Sequence, residues 1–215
     1  MFIDPDTLLY RAELAMKLGG VNRATRHPCN TIAESDTTHT VMLQLACLHI
    51  HDVVGREMDL DLGLLLRHAL VHDLPEALCG DVVTIRPLTA EERAEKDRRE
   101  SVAWSEINSS DTRLGDHIDN YESEKVGDFD PADRTLEAEI VHVLDKLMPR
   151  LTHVLNAGRA LDGHLGVSVD EIVRICSRQT EKLMDMHPRC AFLRPVLDYF
   201  AHLTFERMRD RIEAG

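Results

Sequence analysis

The residues best equipped for chemistry in this chain lie in one short stretch, L-V-H-D-L-P-E-A-L-C-G-D, at positions 70–81. His72 and Asp73 set an imidazole nitrogen beside a carboxylate, a donor pair suited to a divalent metal ion. Glu76 follows three residues after Asp73, about one helical turn away, and Asp81 comes just past a glycine break at Gly80. Two further candidates lie far off in the chain: His39, in E-S-D-T-T-H-T, and Asp145, in V-H-V-L-D-K-L. Together they spell His…His-Asp…Asp, a metal site drawn from three separate segments, with Glu76 and Asp81 beside it for chemistry. A second His-Asp dipeptide, His51-Asp52, closes an apolar helical stretch and has no such companions. It reads as a solvent-exposed helix end.

The elements that must position these groups are predominantly helical. Asp4-Pro5 opens a first helix to about Leu18, closed by Gly19-Gly20. Residues 21–36 read as a loop rich in capping and basic groups. A second helix runs from about Asp36 to Val54, with Val41, Met42, Leu45 and Leu48 at helical spacing. Asp59 or Asp61 starts a third, and Pro75 opens a short turn ending near Gly80. A loop passes through Pro87 to a capping box, Thr89-x-x-Glu92, ahead of a charged helix whose opposite charges pair along a solvated face. The stretch 110–130 is less regular. Asp130-Pro131 precedes a long helix to about Asn156, and a second capping box, Ser168-x-x-Glu171, opens the first of two final helices at about 168–213. No Val/Ile/Thr alternation is long enough for a sheet, so an all-α single domain over 1–215 is expected.

Composition narrows the partners. The chain has 215 residues, 43% of them hydrophobic but only 4% aromatic, so its core is aliphatic, as packed helices prefer. With 25 basic against 38 acidic residues the net charge is −13, which repels the backbone of DNA or RNA. A single nucleotide remains compatible, because a local arginine pair and a metal overcome the global field. The five cysteines form no C-x-x-C and are odd in number, as for reduced thiols in a cytosol. The acidic start M-F-I-D-P-D does not read as a signal peptide, and no apolar run approaches 18 residues. A cytoplasmic protein with no membrane partner is expected.

The order of parts resembles the HD-domain metal-dependent phosphohydrolases, and among them the compact 5′-deoxynucleotidase group. The residues that carry the likeness are Asn22-Arg23, Glu34, His39, His72-Asp73, Glu76, Gly80-Asp81 and Asp145, within a motif core at about 12–156. The resemblance implies an HD-type helical bundle in which His39, His72, Asp73 and Asp145 hold a divalent cation (Mn, Co, Zn, Fe or Mg). It implies that Glu76 serves as acid/base or orients water, and that Asp81 contacts the sugar or orients the nucleophile. Arg23 or Arg26 would bind phosphate, and Glu34 would support Arg23 or His39. The expected substrate is a small deoxynucleotide, most simply a monophosphate that loses its 5′-phosphate, and the expected assembly is a homo-oligomer. The chain departs from the group at Ala24, where monophosphate-specific bacterial members carry a tryptophan; its only tryptophan is Trp104. Small HD-domain dATP triphosphohydrolases of phages share the ligands and compact size, making release of triphosphate the alternative. A non-catalytic nucleotide-binding module is the third reading, and the presence of both Glu76 and Asp81 argues against it.

Overall fold

The computed structural model describes residues 3–83, 88–126 and 134–214. Helix α1 (Pro5–Gly20) starts where Asp4 accepts a hydrogen bond from the Asp6 amide, with proline in the first turn. It runs through both glycines and ends only at Val21, whose extended backbone leaves the helix.

The next segment is a hairpin and not the plain loop expected from its sequence. Strands β1 (Asn22–Arg26) and β2 (Ala33–Ser35) pair antiparallel, Asn22 opposite Ser35 and Arg26 opposite Ala33. The turn closes through a bond from the Asn30 amide to the His27 carbonyl and another from the His27 amide to the Ile32 carbonyl. Asn30 takes the left-handed conformation at φ 60°, which asparagine tolerates better than most residues. Backbone pairing, not side-chain alternation, therefore defines this ribbon.

Helix α2 (Asp36–Val54) is capped by Ser35, and α3 (Leu62–Val71) by Asp61, each accepting from a backbone amide in its own first turn. The single turn α4 (Glu76–Cys79) stops at Gly80, which has φ 75°, a conformation glycine adopts freely. Both capping boxes form, at the starts of α5 (Ala90–Ser110) and of α9 (Val169–Met186). The less regular stretch expected at 110–130 contains a second departure, helix α6 (Thr112–Val126). It buries Leu114, Ile118 and Tyr121, at positions i, i+4 and i+7 of one face. Helix α7 (Leu136–Leu155) is capped by Thr135 and carries an internal proline, Pro149. Asp130-Pro131 and Pro87 lie outside the described residues. The short α8 (Arg159–Gly163), a 3₁₀ turn (Pro188–Leu193) and α10 (Arg194–Ala214) complete the chain.

The fold is all-α apart from the hairpin. Helix α7 is its axis: Ile140, Val141, Val143, Leu144 and Met148 are buried among Leu43 and Cys47 of α2 and Leu65 and Ala69 of α3. A smaller apolar cluster joins Leu161 of α8, Val167 of the segment after it, Ile172 and Cys176 of α9 and Met208 of α10. Arg150 joins this layer to α7. Its guanidinium donates to Thr180 Oγ1, Gln179 Oε1 and the carbonyls of Cys176 and Leu197. Among the described residues no helix is long and apolar enough to cross a membrane.

Candidate metal centre

Three packed helices bring the distant residues together. His39 lies in the first turn of α2, His72 and Asp73 at the C-terminal end of α3, and Asp145 in the middle of α7. One donor atom from each of His39, His72, Asp73 and Asp145 lies within 4.8 Å of all the others. His39 Nε2 is 3.0 Å from Asp145 Oδ1 and 3.8 Å from Asp73 Oδ2; His72 Nε2 is 3.0 Å from Asp73 Oδ2 and 3.9 Å from Asp145 Oδ1. His51-Asp52, on the last turn of α2, takes no part in this cluster.

The donor set fits a divalent cation. His72 Nδ1 lies 2.8 Å from the Ala69 carbonyl oxygen, which can only accept, so Nδ1 carries the proton. In the neutral ring, Nε2 then presents a bare lone pair to carboxylate oxygens, and it is buried with no hydrogen-bond partner. A lone pair facing anions is unfavourable until a cation lies between them. Two imidazoles and two carboxylates suit Mn²⁺, Co²⁺, Fe²⁺ or Zn²⁺.

Glu34 supports the centre from behind. Its Oε1 is 3.4 Å from His39 Nδ1, while its Oε2 accepts a 2.8 Å bond from Thr152 Oγ1 on α7. Such a carboxylate fixes which nitrogen of the imidazole faces the metal. Burial works against a charged His39, but its hydrogen bond to Asp145 and the nearby Glu34 carboxylate outweigh that and raise its pKa to about 9. Burial likewise disfavours the Asp145 carboxylate; Lys146, 2.6 Å away, and His39 nevertheless hold its pKa well below the usual range.

Arg23 enters from β1. One of its terminal nitrogens lies 3.0 Å from Asp36 Oδ1 and 2.9 Å from Asp73 Oδ2. Burial opposes its charge, but Asp73, Asp145, Asp81 and Asp36 together raise its pKa. Arg26, at the other end of the strand, lines neither cavity at the site, and its carbonyl accepts from Asn156 Nδ2. Glu76 opens α4 one turn from Asp73, its Oε2 buried without a partner. Burial, then the neighbouring Asp73, Asp81 and Asp36, push its pKa up to about 10. Asp81, just past Gly80, is raised mainly by burial.

The centre separates two cavities that share Arg23, Asp81, Val82, Asp145 and Lys146 as walls. One, of about 340 Å³, is strongly polar and reaches Glu76, Lys96, Trp104 and Lys125. The other, of about 140 Å³, lies between β1, α7 and α9.

Two residues at the site escaped sequence reasoning as members of it. Asp36 looks like an ordinary first-turn acid, and only the folded hairpin reveals it as a partner of Arg23. Lys146 is legible beside Asp145 as a helix-surface pair, but its ammonium also lines both cavities.

A sequence model of the HD domain matches residues 15–187. Among solved structures, a predicted metal-dependent phosphohydrolase from Magnetospirillum magnetotacticum MS-1 is similar with a TM-score of 0.66 at 18% identity, covering 94% of this chain and 95% of that one. A Pyrococcus horikoshii OT3 protein gives 0.61 at 19% identity, with 91% and 99% covered. A conserved hypothetical protein from Pyrococcus furiosus gives 0.59 at 20%, with 93% and 99% covered. No curated protein sequence matches the chain significantly.

Proposed function

The chain belongs to the HD-domain family, and on that premise we propose that it is a metal-dependent phosphohydrolase that removes the 5′-phosphate from deoxynucleoside monophosphates. The observation that carries the reading is the buried Nε2 of His72, without a hydrogen-bond partner and facing Asp73 and Asp145, beside a polar cavity large enough for a phosphate ester. His39, His72, Asp73 and Asp145 would hold the ion. A divalent ion there supplies Lewis-acid polarisation of a phosphoryl oxygen and a lowered pKa for water.

The remaining work falls to the protein's own groups. Arg23 offers a planar fork to the phosphate oxygens and neutralises charge gathering on them. Asp36, which lines neither cavity, holds that guanidinium by its 3.0 Å contact. Glu76, buried and without a partner at Oε2, would hold or pass a proton. Asp81, on the wall common to both cavities, would meet the sugar.

A second reading, release of triphosphate from a dNTP, draws support from Lys96, Lys125 and Lys146 on the polar cavity's walls. Each, however, is already paired with a carboxylate: Lys96 with Glu100, Lys125 with Glu122, Lys146 with Asp145. The cavity therefore offers little net positive charge to a triphosphate, and the monophosphate is favoured. Chromatography of reactions with Mn²⁺ decides between them. Inorganic phosphate from a deoxynucleoside monophosphate, abolished by a chelator, is the expected product; triphosphate from a dNTP supports the second reading. No product from either, with metal bound, removes the hydrolase assignment.

A further inference from the structure

The smaller cavity contains polar groups that the phosphate chemistry does not use. It is part apolar, through Ala24, Pro149, Leu165, Ile172 and Ile175, and it opens against the wall formed by Arg23 and Asp145. His153 Nδ1 and Arg150 Nε belong to its lining residues, and both atoms are buried with no hydrogen-bond partner. The two residues are 6% and 3% exposed. Buried polar atoms are rarely left unpaired, because each loses its water without replacement. Two on residues that line one cavity point to a ligand that supplies the missing partners.

The chemistry of those atoms describes the ligand. Arg150 has committed both terminal nitrogens to Thr180, Leu197, Cys176 and Gln179, which leaves its Nε–H as a pure donor. Gln179 has its oxygen held by Arg150, so its amide group has only N–H donors left to offer the cavity. Donors call for acceptor atoms, such as the carbonyl oxygens of an oxo-heterocycle. The volume, about 140 Å³, is close to the cavity of about 150 Å³ that accommodates a benzene ring, so it suits one ring and not a fused pair. Ala24 leaves this space open where a larger side chain on β1 would close it.

We propose that the cavity between β1, α7 and α9 is a base-binding subsite for a single-ring, carbonyl-bearing heterocycle, which makes pyrimidine deoxynucleotides the preferred substrates. This rests on the nucleotidase reading for its phosphate end. The base end is recognised by Arg150, Gln179 and His153. Adenine and guanine are both fused ring pairs, larger than the single ring this volume matches.

The test uses free nucleosides, which carry no phosphate and so report on the cavity independently of hydrolysis. Calorimetric titration of the full chain loaded with Mn²⁺ should show thymidine binding at least tenfold more tightly than deoxyadenosine. Ile175→Trp and Leu165→Trp, which fill the cavity from half-buried positions, should each weaken thymidine binding at least fivefold while thermal unfolding and metal content stay as in the parent. Equal affinity for the two nucleosides overturns the assignment. So does thymidine binding untouched in both folded variants, or no thymidine binding at all. Phosphate release from dTMP and dAMP on the same samples tests the nucleotidase reading separately: release without nucleoside binding sinks the subsite alone, and nucleoside binding without release sinks the hydrolase alone.

Discussion

Glu76 shows how one carboxylate can be set apart from its neighbours. Asp73 and Asp145 lie against imidazoles and cations, whereas Glu76 Oε2 is buried beside other acids and has no partner. Glu76→Gln should therefore retain metal and fold while turnover falls about 10²–10⁴-fold, the usual size of an acid/base contribution. Metal analysis and phosphate release on one preparation check this, and near-parental activity would remove Glu76 from the chemistry. His72→Ala and Asp145→Ala should each lose bound metal, because each removes one of the four clustered donors. His51→Ala, outside the cluster, should not. Elemental analysis of the three variants is decisive: full occupancy in either of the first two strikes that residue from the ligand set. The four residues that cluster were picked out in the sequence by residue type, the His72-Asp73 pairing and the order of parts; the fold adds their convergence. The choice between Arg23 and Arg26 was not legible, because they stand at opposite ends of a strand whose existence depends on its pairing.

At the scale of elements, legibility followed the caps. Asp4-Pro5, Thr89-x-x-Glu92 and Ser168-x-x-Glu171 each mark a helix start that the fold realises through side-chain to backbone bonds, and of the alternatives Asp59 and Asp61 the fold uses Asp61. The hairpin had no such signal, since N-R-A-T-R and A-E-S are short and polar and are held by main-chain pairing. Helix α6 was obscured by its own composition: Gly115 and many charges dilute a stripe of only three buried residues. The cap that starts it, Asp111, also accepts a 2.6 Å bond from Arg11 on α1, a partner 100 residues away that no local reading finds. Arg150 is the comparable tie between α7 and the C-terminal layer. Arg150→Ala removes its four hydrogen bonds and leaves a void, although relief of a buried charge offsets part of the loss. A destabilisation of about 2–4 kcal/mol is expected, measured as a fall in the denaturant midpoint. A change below about 0.5 kcal/mol, within the range of ordinary surface substitutions, would show that the layer is held by its apolar contacts alone.

The molecule as a whole should be sensitive to acid before its carboxylates titrate. Burial depresses the pKa of His153 to about 4, and burial with the nearby Lys146 and Lys125 depresses that of His142 to about 3. The unfolded chain takes up these protons at about pH 6.5, before the folded one does. Their stabilising contribution is thus complete above pH 6.5 and is lost as the pH falls toward 4. At about 1.4 kcal/mol per pKa unit, His153 alone accounts for up to about 3 kcal/mol. His153→Gln should flatten the decline of melting temperature between pH 6.5 and 4 relative to the parent, and identical slopes would contradict this. The three-helix origin of the metal donors has a consequence for lifetime. His39 and Asp145 are 106 residues apart in a chain of 215, so an ion between them closes about half of the chain into one loop, as a removable clasp. At an ion concentration about 100 times its dissociation constant, the fraction of molecules open to a protease falls about 100-fold. The chain should survive thermolysin-free digestion, for example by trypsin, far longer with Mn²⁺ than after chelation, with the His72→Ala variant degraded at the chelated rate in either condition. Metal supply would then set how long each copy of the protein lasts as well as how fast it works.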